Sequence, residues 1–234
     1  MKSIERLQKN VIYCEQETKA IKVKNGKNKE GVMEEQVIIT IGREFGSGGR
    51  EIAEKLSEEL GITLYDKKLI QSAAEKFHFD ENVLAYYDEK PVNSVLFPLN
   101  LAMLPYSVGD SVEERAAVAE FSVIREKSEI ESFIVVGRCA EHILKDKDIL
   151  SVFISADPKD RIARICKKYD LYDHDAKALI NRSNNVRRHY HDYYCDNPWG
   201  EATTYDLCLN SSFFGIDGCV KLIKESIQLH KKKQ

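Results

Sequence analysis

The chain carries little excess charge of either sign. Over 234 residues, 35 Lys and Arg stand against 38 Asp and Glu, a formal −3. So even a balance sets up no broad field to draw nucleic acid or an anionic membrane, and neither is expected as a partner. No apolar run reaches the roughly 18 residues that a spanning helix needs. The opening MKSIERLQKN lacks the apolar core of a secretory signal. No C-x-x-C pair occurs among Cys14, Cys139, Cys166, Cys195, Cys208 and Cys219. Their wide spacing fits reduced thiols in the cytoplasm better than a disulfide frame or a zinc site. Internal repeats are absent too. What remains is a chain of about one to two domains, long enough to bury a sizeable core.

What is present is concentrated in Val37 to Leu60, VIITIGREFGSGGREIAEKLSEEL. Val37 to Ile41 is a β-branched run of strand length. Gly42, Gly46, Gly48 and Gly49 crowd the residues that follow, and Ile52, Ala53, Leu56 and Leu60 then repeat at helical spacing. Strand, glycine-rich turn and helix form the context of a phosphate-binding loop. Glycines let the backbone approach phosphate oxygens, and the helix start offers N–H groups and a positive dipole end. Against the pattern G-x-x-x-x-G-K-[ST], Gly48 stands as the last glycine and Gly49 in the lysine position. Arg43 and Arg50 flank the loop with positive charge, and Glu51 sits one step further on. A tight turn whose glycines serve only packing is the plainer alternative.

The rest alternates. Residues 1–35 are charged, include KVKNGKNKEG, and read as a flexible extension outside the core. Gly61 suits a C-cap, Ile62–Tyr65 a second strand, Lys67–Phe77 and Glu81–Tyr87 helices. The apolar stretch 91–109, broken by three prolines, reads equally as a substrate cover, an association surface or a folded-back core loop; the association surface leaves a homo-oligomer open. Ser111 and Glu114 form a capping box for a helix to about Ile130. Phe133–Val136 is a continuous apolar strand ending in Gly137-Arg138, with a short helix at Ala140–Leu144 and a strand at Ile149–Ile154. Asp157-Pro158 starts a helix with Asp as cap. Asp173 to about Tyr194 is a long helix rich in Arg and Tyr. Tyr205–Leu209 is a last strand and Gly218–His230 a last helix. This order predicts an α/β fold, a parallel sheet with helices on both faces in three layers. Ligands bind beyond the C-terminal strand ends of such sheets, so the 42–50 loop, Asp66 and Arg138 should line one crevice.

Four segments then carry a resemblance: GREFGSGGREIAEKL, LYDKKLI, FIVVGRCAEHIL with VFISADPKDRIARI, and RRHYHDYYCDNPWGEATTYDLCLNSS. In order and spacing they resemble the cytidylate kinase-like family, a branch of the nucleoside monophosphate kinases, over about residues 37–225. The resemblance implies a P-loop domain at 36–230 with a helical monophosphate-binding insert at 66–131 and a lid at 171–200. It implies transfer of the ATP γ-phosphoryl to CMP or dCMP with Mg²⁺, with nucleotides as partners. Gly46, Ser47, Gly48 and Gly49 match the ATP-phosphate loop, Arg138 the acceptor-phosphate arginine of a G-R-D motif, and Arg187 a lid arginine. The chain departs from the family at Gly49 (lysine), at Cys139 (aspartate) and at Asn184 and Asn185 (an acidic and a basic residue). No metal ligand from the protein is assigned.

Phosphoryl transfer needs positioning and positive charge more than covalent chemistry, and arginine's planar fork suits phosphate. Candidates are Arg43, Arg50, Arg138, Arg161, Arg164, Arg182, Arg187 and Arg188. Arg161 and Arg164 share a helix face as lid residues or as solvated charges. Arg187 and Arg188 are adjacent, so one at most reaches the nucleotide. Asp66 positions the acceptor or caps a helix. His189 and His191 point different ways and read as solvated. Tyr190, Tyr193 and Tyr194 stack on a base or form a packing stripe, and Trp199 anchors the lid end. Two competing readings stand beside the kinase: a P-loop-derived regulatory module without turnover, favoured by the missing lysine, and a kinase for another small acceptor.

Overall fold

The computed structural model describes residues 36–65 and 112–231. The extension at 1–35, Asp66, the helices expected at 67–87, the 91–109 stretch and Ser111 of the capping box lie outside the described residues. Within them the elements run β1 (Ile38–Arg43), α1 (Gly49–Leu60), β2 (Thr63–Tyr65), α2 (Val112–Ser128), β3 (Phe133–Val136), α3 (Ala140–Ile143), β4 (Leu150–Ser155), α4 (Pro158–Tyr169), α5 (Asp173–Tyr194), β5 (Leu207–Asn210) and α6 (Ser211–Lys231).

All strand pairs are parallel, in the order β2-β3-β1-β4-β5. β1 lies at the centre, with Ile39 opposite Ile134 of β3 and Leu150 of β4. The apolar strands have no polar face because both faces are covered. Ile38, Phe133 and Val135 meet α2 residues Phe121 and Ile124 and the α3 segment. Ile39, Ile41, Ile134, Val136, Val152 and Ile154 meet Ile52 and Leu56 of α1 and Val220 and Ile223 of α6. Burying each such side chain contributes about 1.5–3 kcal/mol. This is the three-layer α/β arrangement of a P-loop fold. A smaller apolar cluster ties α4 to α5 through Ile165, Ala176 and Ile180, with Phe45 packed against it.

The order of strands fixes where a ligand can sit. From β1 the chain reaches β2 and β3 on one side and β4 and β5 on the other, so the C-terminal end of β1 is a topological switch point. The glycine-rich loop leaves the sheet there, between the ends of β3 and β4.

Several local signals act as read. Gly61 ends α1 in the left-handed region at φ 65, with its N–H donating to the Ser57 carbonyl. Pro158 occupies the first turn of α4. Two readings need correction. Asp157 makes no side-chain cap hydrogen bond to α4; its carboxylate accepts from Asn210 Nδ2 at 3.0 Å, because β5 brings Asn210 alongside. The last helix begins at Ser211, well before Gly218, and is broken at Gly215 (φ 70, ψ 171). Its first turn forms early because Asn210 Oδ1 accepts from the Ser212 N–H at 2.8 Å.

Candidate active site

The loop after β1 is held by contacts on every side. Glu44 donates its N–H to the Ile154 carbonyl at 3.0 Å, tying the loop to β4. Ser211 Oγ donates to the Ser47 carbonyl at 2.6 Å, and Arg164 donates to the Gly46 carbonyl. Asn184 Oδ1 accepts from the Phe45 N–H at 2.7 Å, so α5 reaches back onto the loop. Gly46 and Gly48 have φ of 81 and 78, in the region that favours glycine. A Cβ on Gly48 would lie 2.5 Å from Ile216 Cδ1, and one on Gly46 3.0 Å from the Arg161 carbonyl oxygen. The helix α1 starts without a side-chain cap, and its first N–H groups have no intrahelical acceptors. Ser47 Oγ is buried and has no hydrogen-bond partner. A concave backbone, an uncapped helix start and an orphaned hydroxyl fit a chain of phosphate oxygens.

The second wall follows β3. Gly137, Arg138 and Cys139 all have positive φ, 74, 65 and 54. Two successive non-glycine residues in that region cost roughly 1–3 kcal/mol each and cluster at functional sites. The turn aims Arg138 into the crevice, where its guanidinium lies 3.5 Å from the carboxylate of Glu120 on α2. Burial pushes the Glu120 carboxyl up to about 8, against the opposing pull of the Tyr190 hydroxyl at 3.5 Å. The Cys139 thiol is pushed up by its hydrogen bond to Cys195 and by burial. It therefore keeps its proton and adds no negative charge beside Arg138. Tyr190 and Trp199 complete this crevice.

Two residues line both the loop cavity and the Arg138 crevice: Arg43 and Arg187. Arg187 comes from α5, donates to the Arg43 carbonyl at 3.2 Å and lies 5.2 Å over the Phe45 ring. Anions held in the two spaces would meet between these arginines.

A family model described as the cytidylate kinase-like family matches residues 38–213. The chain belongs to the cytidylate kinase-like family. It is 29% identical over 200 residues to a cytidylate kinase of Archaeoglobus fulgidus, spanning 83% of this chain and 97% of that protein. It is 26% identical to a cytidylate kinase of Methanococcus vannielii, spanning 82% and 100%. The crystal structure of an uncharacterized protein from Eubacterium ventriosum is 31% identical with a TM-score of 0.64, covering 82% of this chain and 99% of that one.

On this cytidylate kinase-like frame, Gly46, Ser47, Gly48 and Gly49 form the loop, and Arg50 starts α1 paired to Glu54 at 2.9 Å. Arg161 and Arg164 are not solvated. Arg161 pairs with Glu44 at 3.1 Å, and Glu44 also accepts the Ala156 N–H at 3.2 Å, so α4 braces the loop from behind. Arg182 is exposed on α5. Arg188 lines neither cavity and lies 5.5 Å over the Trp199 ring. Trp199 packs edge-on against Phe153 at 5.3 Å, which fixes the chain after α5.

His191 contradicts the solvated reading. It is 4% exposed, and its Nε2 meets Glu141 Oε1 of α3 at 2.7 Å. Burial opposes its charge, but Cys195 and Glu141 outweigh it and push the imidazole up to about 10. His189 is exposed. The tyrosines divide: Tyr194 is buried edge-on against Phe121 at 5.2 Å, Tyr190 lines the crevice, and Tyr193 is 51% exposed. Sequence reasoning missed Glu44 and Glu120, whose importance lies in arginines more than a dozen residues away. It also noted Asn184 only as a departure, where the structure shows it holding the loop.

Proposed function

We propose that this protein is an ATP-dependent nucleoside monophosphate kinase that moves the ATP γ-phosphoryl to CMP or dCMP. The observation that carries this reading is the meeting of the loop cavity and the Arg138 crevice at Arg43 and Arg187. A donor triphosphate on the 46–50 loop and an acceptor phosphate at Arg138 would be separated only by those two guanidiniums. That is the arrangement in-line transfer requires: both oxygens positioned, charge on the moving group offset, little covalent work. The choice of cytidylate rests on the relatives' names.

In this reading the loop backbone and Ser47 bind the ATP phosphates, and Arg138 orients the acceptor. The α5 helix and the segment to Gly200 act as the lid, with Arg187 its inward charge. Asp66 and the 66–131 insert hold the monophosphate. Mg²⁺ would neutralise part of the charge on the ATP phosphates. The loop suits ATP better than it suits the ion, because Arg50 and Glu51 occupy the two positions after Gly49 and neither carries the hydroxyl that the motif supplies there. Glu51 lines the loop cavity beside Glu44 and Glu54, which pair with Arg161 and Arg50, and is a candidate oxygen donor there.

The test is a screen of nucleoside monophosphates with ATP and Mg²⁺, read as ADP release. CMP or dCMP should lead. Turnover with another monophosphate alone would correct the acceptor. ATP binding without turnover on any acceptor would put the regulatory module ahead, the reading that Gly49 in the lysine position favours.

A further inference from the structure

The loop lacks its lysine, yet the space a lysine would take is filled. With Gly48 as the last glycine of G-x-x-x-x-G-K, the first glycine position falls on Arg43 and the lysine position on Gly49. A cation thus stands in the motif's first glycine position and a glycine in its cation position. The structure brings the two positions together. A Cβ on Gly49 would lie 2.7 Å from Arg43 Cβ and 3.2 Å from its Cγ. The Arg43 side chain therefore grows through the volume that a residue-49 side chain would enter. It continues to the turn after β3, where a Cβ on Gly137 would lie 2.2 Å from Arg43 Nη1. Two glycines, one on α1 and one in the Arg138 turn, clear its path from the end of β1 to the boundary between the two cavities.

We infer that Arg43 replaces the missing lysine, delivering the loop's mobile positive charge to the transferred phosphoryl group from the strand side instead of from the helix. Arginine suits this site better than lysine would. It enters from the floor of the crevice, and a planar fork with five donors can span a donor and an acceptor oxygen where an ammonium contacts one point. Position 49 must then be small, since a side chain there collides with the Arg43 stem. This inference rests on the kinase reading for its kinetic arm only; its binding arm needs no acceptor.

The test uses the full chain and three variants. Arg43→Met keeps an aliphatic stem against Gly49 and removes the charge. It should melt within a few degrees of wild type, weaken ATP binding by calorimetry about 10-fold, and lower kcat at least about 100-fold, the usual loss for one preorganised donor. Gly49→Lys alone should be destabilised and poorly active, because both side chains compete for one volume. Arg43→Gly with Gly49→Lys restores the ordinary order of the motif and should recover at least about 10-fold of the kcat that Arg43→Met loses. A folded Arg43→Met with wild-type ATP affinity and turnover overturns the inference. So does a folded double variant no more active than Arg43→Met. If wild type binds ATP but phosphorylates no acceptor, the kinase reading fails and the ATP affinity of Arg43→Met still decides this one: a 10-fold loss supports it, and unchanged affinity sinks it.

Discussion

The two walls of the site are made from different material. The loop wall is mostly backbone: glycines at positive φ, an uncapped helix start, and one buried hydroxyl. The Arg138 wall is mostly side chain: an arginine on a strained non-glycine turn, a buried carboxylate 3.5 Å away and a phenol behind it. Backbone donors are fixed by the fold and bind phosphate whatever it is attached to. Side-chain charges are set by neighbours and respond to pH and substitution. The loop wall should therefore govern ATP and the other wall the acceptor, with Arg43 and Arg187 belonging to both.

The largest expected effect lies where the walls meet. Arg187 reaches both cavities, whereas its neighbour Arg188 lies over Trp199. A group that acts chiefly in the transition state lowers kcat when removed and leaves ground-state binding nearly alone. Arginines in such roles are worth about 10³–10⁵ in kcat. Arg187→Ala should lose about 10³-fold or more in kcat with ATP affinity nearly kept, and Arg188→Ala less than about 10-fold. Equal, mild losses would dissolve the boundary between the walls.

Next comes a break confined to the loop wall. Gly48→Val puts a branched residue at φ 78 and drives a Cβ toward Ile216. ATP binding by calorimetry should fall at least about 100-fold, since the displaced backbone loses several phosphate bonds of roughly 1.5–3 kcal/mol each. In an Ile216→Ala background the packing collision is relieved while the backbone strain remains. Thermal stability should then recover in part and ATP affinity should not. Recovery of both would mean that the glycine serves packing alone.

Much of the loop wall is legible in the sequence, because its logic is local. Ile38–Ile41, the glycines and Ile52, Ala53 and Leu56 form strand, turn and helix within one short stretch. The bounds of α5, Asp173–Tyr194, are legible for the same reason. The other wall is less so. His191 looks solvated from its own helix and is buried by Glu141, fifty residues earlier. Arg161 reads equally as a lid residue or a solvated charge until Glu44, just after β1, reaches it. The path of Arg43 over Gly49 and Gly137 joins an early loop to β3, and no spacing rule contains it. Long-range pairing, more than propensity, decides which charges face the crevice.

On the side-chain wall, Arg138→Ala should raise the acceptor's KM about 10- to 100-fold, the equivalent of one charged hydrogen bond of roughly 1.5–3 kcal/mol. The KM for ATP should move less than about 3-fold, because the loop does not depend on this turn. If both constants rise together, the walls are not independent and Arg138 holds the site's shape rather than the acceptor.

The smallest effect is the most specific to the side-chain wall, and it is a pH dependence. Burial raises the Glu120 carboxyl to about 8. At 3.5 Å the Arg138 guanidinium makes only a long ion pair with Glu120 and does not outweigh that burial. Below about pH 8 the carboxyl is neutral and the Arg138 charge is available to a phosphate. Above it, Glu120 ionises and competes for the same guanidinium. The acceptor's KM should therefore rise a few-fold between pH 7 and 9, while the KM for ATP stays flat. A phosphate monoester's second ionisation, near pH 6, is over before this range begins. Stability should move the same way. A carboxyl whose folded value lies above its unfolded one holds a proton that the unfolded chain releases. Its effect on unfolding free energy is therefore a decline from about pH 4.5 to about 8. Glu120→Gln keeps the shape and cannot ionise. It should flatten the KM profile and remove that part of the stability slope. A wild-type KM that is level from pH 7 to 9 would place Arg138 beyond the reach of Glu120 during turnover. A slope that survives in Glu120→Gln would assign the titration to another group.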